Sequence, residues 1–397
     1  MADRISTLPA SVLCHILSFL PTKQVVATSV LNKTWNPLWR SVSTLDFHFQ
    51  NLNKEKCSRF VQWVNEVILS RDLHQPIQTF RLWCQCRSFN YDPRIINMWV
   101  NVALQLRVEH LDLSLFSARI RPISLSCAIL RHRTLVVLKL NVLGLKSISS
   151  IDLPSLKVLH LNKVTFLEGR YLAELLSGCP VLEDLVAKDL YFDKRCPISL
   201  SYREFKRLPK LVRADIHKRY VPLLILDNVE FLCIDKEYPR YNVIVDRYKN
   251  PNPYPRDLIP VFHNLVHFEL TFFCYTMSWL HVLRLLIHCP KLQILIINQD
   301  YNFVSNYEER GWRCPPSVVP KCIPLPLKTC HLNNYKGSKG EVQFARYVMQ
   351  NASILRTMKI CVNAEKIGEE LNKIEMLKVL SSCTRCSPTC ELSFEII

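Results

Sequence analysis

The 397-residue chain is 49% hydrophobic and 21% charged, so it is too apolar to be disordered and long enough for two or three compact units. Its formal net charge of +17 is spread without a run of five or more Lys and Arg, which excludes a polybasic arm while raising affinity for phosphates and acidic surfaces. The start MADRIS lacks a basic segment followed by an apolar one, and charge or proline interrupts each apolar run before membrane-spanning length; the expected setting is the nucleus or cytoplasm, neither secreted nor membrane-bound.

The first 45 residues predict three short helices. In ISTLPASVLCHILSFLP, Leu13, Ile16, Leu17 and Leu20 recur at helical spacing, with Leu8 and Pro9 leading in and Pro9 suited to a first turn. Thr22 is placed to cap a second helix carrying Val25, Val26 and Val30, and Asn32 to cap a third presenting Trp35, Leu38 and Trp39. Such short helices present more large apolar surface than they can cover among themselves. Spacing alone reads equally as the core of a helical subdomain or as a surface awaiting a partner.

This stretch closely resembles an F-box in its plant form. The residues carrying the resemblance are Asp3 to Ser6, Leu8, Pro9, Leu13, His15 to Lys23, Thr28 to Leu31, Lys33, Trp35, Leu38 and Trp39. The resemblance implies docking onto a Skp-type adaptor, which bridges to a cullin and so to a ubiquitin-conjugating enzyme. The implied adaptor-binding set is Leu8, Pro9, Leu13, Ile16, Leu17, Leu20, Val26, Val30, Leu31, Trp35, Leu38 and Trp39, with Leu17→Ala and Trp35→Ala expected to weaken adaptor capture. Ala10, Ser11 and Thr34 depart from the usual charged residues of the family. Asp3 is the sole acid among residues 1–45, against Arg4, Lys23, Lys33 and Arg40, a balance that suits an acidic adaptor surface.

Residues 46–110 read as a connecting helix and the first strand of a repeating series, and 111–311 as repeats of a strand with two inward residues one apart. VEHLDLSLF presents Leu111 and Leu113, LVVLKLNVL presents Leu138 and Leu140, and SLKVLHLNKV presents Leu159 and Leu161. The first inward positions continue at Leu185, Ala214, Leu232, Phe268 and Leu295. A single unit cannot bury its pair, whereas stacked units make a parallel sheet with helices outside. EGRYLAELLSGCP and SWLHVLRLLIHCP supply such helices, each running into a CPxLxxL segment. The pattern resembles an irregular leucine-rich-repeat solenoid, which makes the fold class α/β. The alternative, a doubly wound domain, calls for a glycine-rich phosphate loop after a strand, and none occurs. His160, Asn162, Lys188, His267, Glu269 and Asn298 flank the inward leucines and are the candidates for gripping a target. Two breaks stand out, 237–260 and the proline-rich 301–326; the first reads as a binding loop or a tolerated insertion.

From residue 312 the sequence is similar to the FBD domain found at the C-terminus of many plant F-box proteins. Trp312, Pro315, Pro320, Cys322, Leu327, Lys328, Gly337, Gly340, Glu341, Phe344, Tyr347, Asn351, Ala352, Leu355 and Met358 carry that resemblance. The domain is expected over 312–362, closed by 363–397, as a cap on the repeats. LKTCHLNNY, ILRTMKICV and CELSFEI are strand-like, and EVQFARYVMQN is an amphipathic helix.

Little in the chain points to catalysis. Seven glycines provide no GxGxxG, P-loop or GxSxG elbow, and no HExxH occurs among twelve histidines. Seventeen cysteines, an odd number without framework spacing, read as free thiols of a reducing compartment. Cys383, Cys386 and Cys390 have zinc-like spacing but lack a nearby fourth ligand, and Gly337 to Gly340 reads as the turn into a helix sooner than an RNA clamp. No enzyme activity, cofactor or metal is expected. The function expected is a substrate-receptor subunit of a Skp-cullin-F-box ubiquitin ligase, with an unknown protein target. The alternative is a basic nucleic-acid-associated or scaffold protein whose F-box is not used for ubiquitination; a third variant adds a small ligand to the ligase role.

Overall fold

A computed structural model describes residues 4–51, 53–86, 91–117, 122–145, 150–192, 204–217, 220–235, 259–273, 279–300, 318–362 and 378–396. The chain divides into two compact units, Met1–Lys210 and Leu211–Ile397. The 237–260 excursion lies outside the described residues apart from its last two, as do Lys218, Arg219, Trp312, Pro315 and the first part of the proline-rich boundary.

The first unit opens with α1 (Ala10–Leu17) and α2 (Thr22–Ala27). Each follows a proline, Pro9 and Pro21, whose carbonyl accepts the first helical N–H groups. Thr22, expected as the α2 cap, is instead the first helical residue, and its hydroxyl accepts the Asp46 N–H at 2.7 Å. Asn32 does cap: its Oδ1 accepts the N–H groups of Thr34 at 2.8 Å and Trp35 at 3.1 Å. Beyond Asn32, however, the chain forms a series of turns and a 3-10 segment, Leu38–Ser41, and not the expected third α-helix. Leu13, Leu17, Val25, Trp35, Leu38 and Val42 form the core of this helical region, with Cys14, Leu20 and Trp39 packed against it.

A parallel ladder begins directly after it. β1 (Thr44–Gln50), β2 (Thr79–Cys86), β3 (His110–Ser117), β5 (Val137–Asn141), β7 (Val158–Asn162) and β9 (Asp184–Lys188) pair in chain order. α3 (Lys54–Leu69), α4 (Pro93–Gln105) and α5 (Arg170–Ser177) lie between strands; the Asn53 and Asp92 side chains cap the first two. Residues 46–110 thus carry two helices, most of β1, all of β2 and the first residue of β3, where the sequence suggested a connector with one strand. A second, shorter parallel ladder joins β4 (Ile123–Leu125), β6 (Leu143–Leu145), β8 (Thr165–Phe166) and β10 (Tyr191–Phe192). The hinge between the ladders is one residue in the left-handed region: Val142 (φ 60°), Lys163 (φ 53°) and Asp189 (φ 47°) follow β5, β7 and β9. Each turn is tied to the next, Val142 N–H donating to Asn162 O and Lys163 N–H to Lys188 O.

In the second unit β11 (Arg213–His217), β12 (Phe231–Asp235), β13 (His267–Phe273), β14 (Ile294–Asp300), β15 (Thr329–Asn333), β16 (Thr357–Val362) and β17 (Glu391–Ile396) again pair in parallel, in chain order. α6 (Trp279–Ile287) and α7 (Lys339–Asn351) are amphipathic. A capping box starts α7: the Ser338 hydroxyl accepts the Glu341 N–H, and the buried Glu341 carboxylate accepts the N–H groups of Ser338 and Lys336. Gly337 precedes it at φ 77°, a conformation that favours glycine, so the GSKG segment is a helix start.

The inward positions read from the sequence are register partners. Leu111, Leu138, Leu159 and Leu185 lie opposite one another in turn, as do Ala214, Leu232, Phe268 and Leu295, and that row continues through Cys330, Met358 and Leu392. The partners from Leu111 to Met358 are buried in each strand. Burial pushes the thiols of Cys179, Cys322 and Cys330 up to about 12. These are inert core groups, but Cys57 departs from the expectation of free thiols throughout, since it is disulfide-bonded. No helix among the described residues is long and apolar enough to cross a membrane.

Candidate protein-interaction site

The N-terminal helices bury one apolar face and leave another open. Of the twelve residues the sequence grouped together, Leu13, Leu17, Trp35 and Leu38 lie in the core, and Leu20, Val26 and Trp39 are half-buried. Leu8, Pro9, Ile16, Val30 and Leu31 are exposed, Val30 by 84%. The helical spacing that united these residues did not separate the face turned inward from the face turned out. Ile5, Val12 and Phe19, the last 76% exposed, join the open face and were not in the grouped set. Their signal was present: Val12, Ile16 and Phe19 form a second apolar stripe beside that of Leu13 and Leu17. His15 holds the Phe19 ring edge-on at 5.1 Å.

The same stretch carries positive charge without acidic compensation of its own. Arg4, Lys23, Lys33 and Arg40 are exposed, and residues 4–45 contain no Asp or Glu. Seven exposed large apolar groups and four exposed cations within so short a stretch suit contact with an apolar protein surface that has an acidic border.

This face is fastened to the first ladder. Besides the Thr22 to Asp46 bond, the Asp72 N–H donates to Arg40 O, and the Gln78 and Thr79 N–H groups both donate to Ser43 O. Arg71, 5% exposed, donates to Pro76 O at 3.1 Å, and burial lowers its guanidinium to about 10. Ser6 Oγ accepts from Asn32 Nδ2 at 2.9 Å and from Trp35 Nε1 at 2.8 Å, which fixes the leading segment over the third-helix region.

The six target candidates fall three to a unit. His160, Asn162 and Lys188 stand on β7 and β9, where Asn162 and Lys188 are register partners and His160 Nε2 lies 3.4 Å from Asp184 Oδ2. Their sheet face carries a charge ladder, Asp46, Arg81, Asp112, Lys139 and His160 in successive register, with Asp46 and Arg81 paired at 3.5 Å. His267, Glu269 and Asn298 stand on β13 and β14. His267 Nε2 and Glu269 Oε1 are 2.8 Å apart, and Asn298 accepts from Asn333 Nδ2 at 2.7 Å. Both trios are half-buried on sheet faces that alternate with the buried leucines. His331, on that second face, has its imidazole pulled down by burial and by Lys359. Among the described residues no group of three or more His, Cys, Asp or Glu is placed to hold a metal ion; Cys383 is half-buried, Cys386 exposed and Cys390 buried.

Comparison with known proteins matches these regions one by one. Residues 5–46 match the F-box domain family, 96–208 the leucine-rich repeats described for FBD-associated F-box protein At5g56370, and 315–360 the FBD family. Among whole proteins, the chain is similar to F-box/FBD/LRR-repeat protein At5g56420 of Arabidopsis thaliana, 30% identical over 427 residues that cover 99% of each. F-box/FBD/LRR-repeat protein At4g26340 of the same plant is 30% identical over 451 residues, covering 99% of this chain and all of the relative. FBD-associated F-box protein At5g56370 is 29% identical over 435 residues with the same coverage.

Proposed function

Because this chain belongs to the F-box/FBD/LRR-repeat family of plant proteins, we propose that it is the substrate-receptor subunit of a Skp-cullin-F-box ubiquitin ligase. The observation that carries this reading is the open, acid-free apolar face of the N-terminal helices, which stays exposed although the helices have a complete core of their own. Ile5, Leu8, Ile16, Phe19, Val30 and Leu31 dock on the Skp-type adaptor, and Leu13, Leu17, Trp35 and Leu38 hold them in place. Burying a side chain of this kind yields about 1.5–3 kcal/mol, and association costs about 4–15 kcal/mol, so the surplus is small and one anchor matters.

The parallel ladder of each unit is read as leucine-rich repeats, the second unit also carrying the FBD, and the half-buried sheet faces around His160, Asn162 and Lys188 in the first unit and around His267, Glu269 and Asn298 in the second receive the target protein. The chain supplies no catalytic residue. It works by holding target lysines at high effective concentration beside a charged conjugating enzyme, in the nucleus or cytoplasm.

Co-expression with a Skp-type adaptor and a cullin tests this. The expected result is a stable complex that ubiquitinates a captured target. A chain that stays monomeric with every adaptor homologue offered removes the proposal, and a complex that transfers no ubiquitin leaves only its docking half.

A further inference from the structure

The parallel ladder of the second unit ends on β17, and this strand is covered less completely than those before it. Leu392 and Phe394 are the register partners of Met358 and Ile360 and continue their inward rows, yet both are half-buried where Met358 and Ile360 are fully buried. Ile396, the next inward position, is 63% exposed. Among the described residues no strand pairs with the far side of β17. A strand turns its N–H and C=O groups to its two sides at alternate residues. The Glu391 N–H donates to Arg356 O, so the backbone groups of Leu392 and Phe394 face the open side.

The other face of the strand is acidic. Glu391 and Glu395 alternate there with Ser393, and both carboxylates are exposed. Glu395 pairs with Lys359 at 2.7 Å, and among the described residues Glu391 makes no ion pair. The nearby cations do not stand on β17: Arg356 lies before β16, Lys359 belongs to β16, and Arg385 donates to Cys390 O at 2.8 Å. Cross-strand pairs form between directly opposite residues, so Glu391, Ser393 and Glu395 are what an added strand meets on this face.

We infer that the open edge of β17 takes up an extended segment of a partner protein in which aliphatic residues alternate with Lys or Arg. Added as the next strand, such a segment bonds to the outward backbone groups of Leu392 and Phe394. Its aliphatic side chains carry the inward rows past Leu392 and Phe394, and its cations stand opposite Glu391 and Glu395. A second copy of the chain fits less well, because the antiparallel register that keeps Leu392 opposite Phe394 also sets Glu391 opposite Glu395 at both ends. Residues 363–377 of the chain itself, with four Glu against two Lys, have the wrong sign of charge. This edge is distinct from the residues assigned above to adaptor and target, and its occupancy does not require the ligase role.

The test is fluorescence anisotropy with the full chain and a labelled peptide alternating valine and lysine. Saturable binding is expected, although the net charge of +17 opposes a cationic peptide elsewhere on the chain. Glu391→Lys, at an exposed position, should keep the circular dichroism of the parent and weaken binding about tenfold or more. Peptides N-methylated at every second residue separate strand addition from charge alone. One phase of methylation blocks the edge facing β17 and should abolish binding, while the other leaves that edge free and should bind as the unmethylated peptide does. Absence of saturable binding, equal binding by Glu391→Lys, equal behaviour of the two methylated peptides, or equal binding of a peptide alternating valine and glutamate overturns the inference. So does self-association that Phe394→Pro abolishes, which makes the occupant a second copy; proline is tolerated at an edge position whose N–H faces outward.

Discussion

Val142 holds a β-branched side chain in the left-handed region at φ 60°, where Asn334 and Asp189 occupy the corresponding turns after β15 and β9. Asn and Asp tolerate that conformation and valine does not, so the turn after β5 stores strain. Val142→Asn is expected to raise stability by about 1 kcal/mol, read as a higher urea midpoint at unchanged slope. A lower midpoint would mean that packing of the valine methyls outweighs the backbone cost. Asp112 gives a pH-dependent counterpart. Burial raises its carboxyl above the ordinary carboxylate range, and Lys139 and Arg81 only partly oppose this. A raised folded-state value means that this group's contribution to stability is fully present below the ordinary Asp value of ~3.9 and is lost as pH rises through the folded value. Asp112→Asn should therefore be more stable than the parent at neutral pH, with the gap closing in acid. A parent that is the more stable at neutral pH would show that attraction to Arg81 and Lys139 exceeds the burial cost.

At the scale of elements, strands were more legible than helices. An LxL strand points both leucines to one side, and only one side of a sheet in this fold is covered, so Leu138, Leu159 and Leu185 revealed both face and register. The N-terminal helices are apolar on two sides, and periodicity locates stripes without saying which one meets another chain. Under the proposed function, Leu17 and Phe19 divide the two roles. Leu17→Ala opens a cavity in the helical core and should cost about 2–5 kcal/mol of stability, losing adaptor capture through the fold. Phe19→Ala, at an exposed position, should change stability by less than about 0.5 kcal/mol while weakening adaptor capture severalfold. Thermal unfolding beside adaptor co-purification separates these outcomes; equal loss of stability in both would remove the distinction between core and docking face. β1 was missed for a different reason. TLDFHFQ carries Asp46 and His48 on its outer face, so it lacks the leucine pair that marks later strands, and its inward residues are Leu45 and Phe47.

For the whole molecule, a formal charge of +17 acts as a field more than as a set of contacts. The N-terminal stretch contributes Arg4, Lys23, Lys33 and Arg40 with no acid in residues 4–45, so under the proposed function an acidic adaptor would be steered toward the exposed Phe19 and Leu31. Screening reaches such long-range attraction before it reaches apolar contact, because the Debye length shrinks from ~10 Å at 0.1 M salt to ~3 Å at 1 M. The association rate with the adaptor should then fall about tenfold across that range while the dissociation rate changes little, since dissociation is governed by the aliphatic anchors. Lys23→Glu with Lys33→Glu, both at exposed positions, should lower the low-salt association rate and flatten its salt dependence without altering dissociation. Stopped-flow association and surface-immobilised dissociation read the two rates separately. A salt-independent association rate would mean that the excess charge serves solubility and plays no part in bringing the adaptor to its face.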